Sequence, residues 1–131
     1  TNVLSLDMLR AIAHDPAGLV ALRRKVSAAA QTATDPALAG AAAQAVRAAA
    51  SVSEWLSERA GDRQALEAGA RRCAMTLGRA LALALLVEQA QWSLAHERDG
   101  RARAAPARPS SCSLQLIWWM MPRWRMTSRL G

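Results

Sequence analysis

Apolar residues along the first hundred positions recur at alternating spacings of three and four, the period of one face of an α-helix. In one stretch the series is Leu19, Leu22, Val26, Ala29 and Ala33. In a second it is Leu38, Ala42, Ala45, Ala49, Val52 and Leu56. The longest runs Leu66, Ala70, Cys73, Leu77, Ala80, Ala84, Val87, Gln91 and Leu94. Punctuation agrees with the period. Asp15-Pro16 and Asp35-Pro36 each set a capping carboxylate before a proline suited to the first helical turn. Asp62 begins a further helix, with Gly61 expected as the residue that ends the one before it, and Gly100 closes the last. Four helices are predicted, at about 3–13, 16–33, 36–60 and 63–98.

Short connections make sequential helices antiparallel neighbours. The predicted class is therefore all-α: an antiparallel four-helix bundle-like domain over residues 1–100, with a basic and disordered C-terminal tail over 101–131. Composition sharpens this picture. The chain of 131 residues contains no Tyr and no Phe, and so many seam alanines imply helix axes near the short end of the usual ~8–10 Å. Between Ala80 and Val87 the fourth helix is apolar on every side, with Leu81, Leu83, Leu85 and Leu86 pointing in different directions. A helix apolar all round is buried all round, so these four leucines are the expected interface with another surface. The plainer alternative is an alanine-rich helix that is merely greasy.

Charge divides the chain. The formal net charge is +7, from 17 Lys and Arg against 10 Asp and Glu. All ten acids precede Gly100, where eleven basic residues almost balance them, while Arg101–Gly131 carries six arginines and no acid. The tail, RARAAPARPSSCSLQLIWWMMPRWRMTSRLG, also holds Trp118, Trp119 and Trp124. Its Arg, Pro and Ser content predicts disorder, although LQLIWWMM is an apolar run that disordered tails rarely keep. Arginine interleaved with tryptophan suits a nucleic acid or an anionic surface. A small basic nucleic-acid-binding protein acting through this tail is thus an alternative function, as is a free-standing interaction bundle. A frame change or mispredicted exon would produce the same abrupt shift in composition, and a genuine lineage-specific tail is the competing explanation.

Few residues suggest chemistry. Cys73 and Cys112 match no metal-ligand spacing, and Cys73 falls on the core seam. His14 and His96 stand singly at helix ends. Glu54 and Glu58 lie one turn apart on a face expected to be solvated, near Arg59 and Arg63. Arg23, Arg24 and Lys25 sit between two seam residues, as the outer arc of any amphipathic helix would, although such a cluster also suits phosphates. The longest uninterrupted apolar run, Ala80–Val87, is far short of the ~20 residues of a membrane span. With no basic-then-apolar leader visible, no transmembrane segment and an intracellular location are expected.

The opening stretch TNVLSLDMLRA adds a resemblance, carried by Thr1, Asn2, Leu6, Asp7, Leu9 and Arg10. It resembles the segment that follows the Glu-Gly-Thr motif of acyl-CoA dehydrogenase-type flavoproteins, and most closely their adaptive-response branch, where a further C-terminal helical domain follows. The resemblance extends over about residues 1–100. It implies a fragment cut just after that motif, with the catalytic glutamate and the flavin and acyl-CoA sites upstream of Thr1. It implies FAD in the intact parent and none for the fragment alone, which would be inactive. Thr1 and Asn2 match the turn that contacts FAD in the family; helix capping by Asn2 or Ser5 is the simpler structural role. The implied partner is the missing flavin domain or a sister subunit, docked on the leucine-rich surface.

Overall fold

A computed structural model of the chain describes residues 3–96. Within them lie four helices and no strand: α1 (Val3–His14), α2 (Pro16–Gln31), α3 (Pro36–Glu58) and α4 (Arg63–His96). The tail beyond Gly100, with its expected disorder and its Arg/Trp pattern, lies outside the described residues, as do Thr1 and Asn2.

The expected caps form. The Asp15 carboxylate accepts from the Ala17 amide at 3.0 Å and the Asp35 carboxylate from Ala37 at 2.9 Å, each one residue ahead of the proline that opens its helix. Asp62 does the same for α4, accepting from Ala65 at 2.9 Å. Asp15 alone separates α1 from α2. The residue before a proline is pushed out of the α region, and Asp15 takes φ −134°, ψ 89°.

Two helices stop short of their expected ends. α2 ends at Gln31 rather than Ala33, because the Thr32 hydroxyl turns back to donate to the Ala29 carbonyl at 2.7 Å and closes the last turn. α3 ends at Glu58 rather than Ala60. The Arg59 amide still reaches the Trp55 carbonyl at 3.1 Å, and Arg59 itself sits at φ −107°, ψ 11°. Gly61, expected to end this helix, does not adopt a left-handed φ; the break occurs at Arg59. Ser5 lies inside α1 and is buried, so it is not a cap.

The core has bulky ends and a lean middle. At one end Val52, Trp55, Cys73 and Leu77 are closed in by Met8, Leu9 and Ile12 of α1 with Leu19, Leu22, Leu56 and Leu66. At the other, Leu38 and Val87 pack with Ala42 and Ala90. Between them Ala45, Ala48 and Ala49 of α3 meet Ala80 and Ala84 of α4, with Val26 and Ala29 of α2 completing the layer. The expected seam is the observed one, broadened by Ala48, Trp55, Thr76 and Ala90.

Gln91 explains the polar position in the α4 seam. Its side-chain oxygen accepts from the backbone amides of Thr34 at 2.9 Å and Asp35 at 3.0 Å, fastening the α2–α3 turn to α4. A second tie is the ion pair of Lys25 on α2 with Glu88 on α4, at 3.0 Å.

By length and composition α4 is apolar enough to cross a membrane, with an 18-residue window of mean hydropathy 1.3. The uninterrupted apolar run 80–87 is only part of this window. A core helix of a bundle meets the same test, and α4 packs against all three other helices.

The Trp55 ring lies close against the α4 backbone at Gly69. A Cβ built on Gly69 would overlap the benzene ring of the Trp55 indole, whereas one built on Gly40 would meet nothing within 4 Å. Gly69→Ala is therefore expected to destabilise by about 1–2 kcal/mol, overpacking outweighing the gain in helix propensity. Gly40→Ala is expected to stabilise by roughly 0.5–1 kcal/mol. Urea unfolding followed by circular dichroism compares the two, and equal effects would contradict this packing.

Candidate interaction face

At 34 residues α4 is the longest helix, and it carries two stripes with the same period on opposite sides. The inner stripe, Ala70, Cys73, Leu77, Ala80, Ala84 and Val87, is buried. The outer one runs Met75, Gly78, Ala82, Leu85, Gln89, Trp92 and His96, again at alternating steps of three and four, and is exposed throughout. Leu86 adjoins it. Leu85 is 41% exposed, Leu86 47% and Trp92 49%. Ala82, Leu85, Leu86, Glu88, Gln89 and Trp92 line a shallow open groove along this side.

The four leucines named from the sequence divide. Leu81 and Leu83 flank the inner stripe and pack partly against the alanine layer. Leu85 and Leu86 face outward. The Lys25–Glu88 pair borders the groove on the α2 side. At its far end the Trp92 ring stacks on the His96 imidazole, with centroids 4.7 Å apart and planes 19° from parallel. His96 Nδ1 lies 2.9 Å from the Trp92 carbonyl oxygen.

The remaining candidates are dispersed. Arg23 and Arg24 border a separate α2–α3 groove with Val20 and Val46. Lys25 of that cluster is engaged by Glu88. His14 is exposed at the end of α1, and Glu54 and Glu58 are exposed on α3. Arg63 turns to Glu67, at 2.8 Å, rather than toward Glu58. Among the described residues no three of His, Cys, Asp and Glu gather as metal ligands. These grooves among the described residues are walled largely by Ala, Val and Leu, with Arg23, Arg24, Arg47 and Glu88 among their polar lining. What this face can do is pack: a half-exposed apolar stripe rimmed by charge is the chemistry of a docking surface.

Comparison with known proteins agrees on parentage. Residues 18–105 match the family described as acyl-CoA dehydrogenase 11 C-terminal domain-like. The chain belongs to this family. The match contains α3, α4 and all of α2 but its first two residues, while the opening stretch that carried the resemblance precedes it. Comparison with curated proteins and with solved structures returned no match.

Cys73 is the one described residue with a strongly displaced pKa. Burial in the α1–α3–α4 end of the core pushes its thiol from 9.0 up to about 11. The folded state holds this proton more tightly than the unfolded chain does. The resulting stability is fully present below pH 9 and is lost as pH rises from 9 through 11. Thermal unfolding across this range should show a loss of roughly 2–3 kcal/mol that Cys73→Ala removes. An unchanged slope in the variant would place the titration elsewhere.

Proposed function

We propose that this chain serves as the C-terminal helical wall of an FAD-dependent acyl-CoA dehydrogenase-type enzyme. It docks through the outer face of α4, centred on Leu85 and Leu86, on the flavin- and acyl-CoA-binding body or on a sister subunit. Its contribution is structural, closing and steadying the cofactor site, and by itself it is inactive. FAD belongs to the body of the enzyme, where it supplies hydride acceptance during α,β-dehydrogenation of an acyl thioester. Thr1 and Asn2 are the residues of this chain proposed to approach it.

The observation that carries this reading is the outward stripe of α4. Leu85, Leu86 and Trp92 stay near half exposed although the helix they stand on is the core of the bundle. Membership of the family supports it independently. Three further assignments go with it: the adaptive-response branch, on the strength of Thr1–Arg10; a domain boundary near Gly100; and an intracellular location.

The test is reconstitution in trans. The flavin-binding body of a family member, expressed without its own C-terminal domain, is mixed with this chain and its FAD retention measured. The expected result is a stable complex that retains more FAD than the body alone, lost on the double substitution Leu85→Glu and Leu86→Glu while the helicity of the chain is unchanged. Stoichiometric FAD bound to this chain alone, or a complex indifferent to both substitutions, would contradict the proposal.

A further inference from the structure

A second open surface lies between α2 and α3. Two shallow hollows there are both lined by Ser27 and Val46, so they form one continuous groove. It runs from Val20 and Ala50 at one end to Ala33 and Ala39 at the other, and no lining residue comes from α1 or α4. From Val20 to Ala30 along α2 is about 15 Å, roughly three helical turns. The walls are low. Val20 is 47% exposed and Val46 37%, and the remaining accessible apolar lining is alanine. Low walls leave room for large side chains brought by something else. A helix with leucine at alternating three- and four-residue steps meets such a surface as ridges meet a groove.

Charge says which helix. Arg23 and Arg24 stand on the α2 wall and Arg47 on the α3 wall, and no carboxylate lines either hollow. α2 contains no acid, while α3 contains Glu54 and Glu58, both beyond Ala50 toward its C-terminus. Lys25, next to Arg24, is turned to Glu88 on α4. Among the described residues Arg10, Lys25 and Arg63 each form a salt bridge, and the three groove arginines form none. Arg59, Arg71, Arg72 and Arg79 lack one as well, but they line none of the described grooves.

Three occupants fail on these observations. A second copy presenting the same face would set arginine against arginine. Residues 101–131 carry six arginines and no acid, so they are repelled in the same way. Nucleic acid would satisfy the guanidiniums through its phosphates but would leave the valines and the alanine floor uncovered.

We propose that the α2–α3 groove docks an acidic amphipathic helix supplied by a partner. The large apolar side chains of that helix fill the alanine floor, and its carboxylates meet Arg23 and Arg24 on one wall and Arg47 on the other. This surface shares no lining residue with the α4 groove and goes beyond the part assigned to α4.

The test is fluorescence anisotropy of the full chain with a labelled helical peptide of about four turns. The peptide carries leucine at alternating three- and four-residue steps, flanked on both sides by glutamate; a twin has lysine for every glutamate. The glutamate peptide is expected to bind, more weakly as salt rises, and the lysine peptide not to bind. Val46→Glu places a charge on the floor and is expected to abolish binding. Joint reversal by Arg23→Glu, Arg24→Glu and Arg47→Glu is expected to weaken the glutamate peptide roughly tenfold or more and to let the lysine peptide bind. All four positions are exposed, so both variants should keep the far-UV circular dichroism. No binding of the glutamate peptide, or equal binding of the twins, would overturn the proposal. So would glutamate-peptide binding that survives both variants, which would belong to the basic C-terminal residues. A DNA duplex held by the same three arginines and indifferent to Val46→Glu would overturn it too. The reading of α4 fails separately, because Leu85→Glu with Leu86→Glu is expected to leave peptide binding unchanged.

Discussion

The arrangement of this molecule depends on the meeting of alanine with alanine between α3 and α4. Ala45, Ala48 and Ala49 face Ala80 and Ala84 in a layer whose fully buried members from these two helices are all alanine, with Leu81 and Leu83 packed partly against it. Such a layer works only if the backbones come close, because alanine contributes little apolar area and its dispersion contacts fall away over a fraction of an ångström. Larger groups at either end hold the pair in register: Trp55, Val52 and Leu77 at one, Leu38 and Val87 at the other. Gly69 extends the same requirement by admitting the Trp55 ring against the α4 backbone. Polar ties cross at the margins, where Gln91 holds the α2–α3 turn and Lys25 meets Glu88.

A lean core has a consequence for the opposite side of α4. Close packing satisfies one stripe of the helix and leaves no further helix among the described residues to cover the other. Leu81 and Leu83 stand near enough to the inner stripe to be partly covered; Leu85 and Leu86, roughly 40–60° further round, are not. The same 3.6-residue period that builds the core thus generates a second ordered surface behind it, and the two stripes share one rigid helix. A surface carried by the core helix is held in a defined shape, which favours its use in recognition over surfaces built on loops.

Much of the fold was legible because it follows from local rules. The Asp-Pro pairs mark the starts of α2 and α3 to the residue, since capping and proline geometry act within a few positions. The three seams are read from period alone. What was missed required knowledge of neighbours: Thr32 folding back on Ala29, the break at Arg59 in place of Gly61, and Ala48 and Ala90 widening the seam. Gln91 was placed in the seam but its purpose was not, as its partners are backbone amides 56 and 57 residues away. The α4 leucines were flagged as a group because sequence shows only that a helix is apolar all round. Which of them face the core depends on where α2 and α3 lie. The outer stripe was hidden for another reason: glycine, alanine and glutamine are unremarkable letters until the direction in which they point is known.

The claim on which these conclusions rest, that the outer face of α4 is a surface built to be covered, is tested most directly by methyl NMR with a soluble paramagnetic agent. Leu4, 81% exposed at the start of α1, is an internal standard for a leucine in water. With the flavin body bound, the methyl groups of Leu85, Leu86 and Ala82 should become protected from the agent while Leu4 remains fully broadened. Leu85 and Leu86 broadening in step with Leu4 at every concentration, with or without the flavin body present, would contradict it.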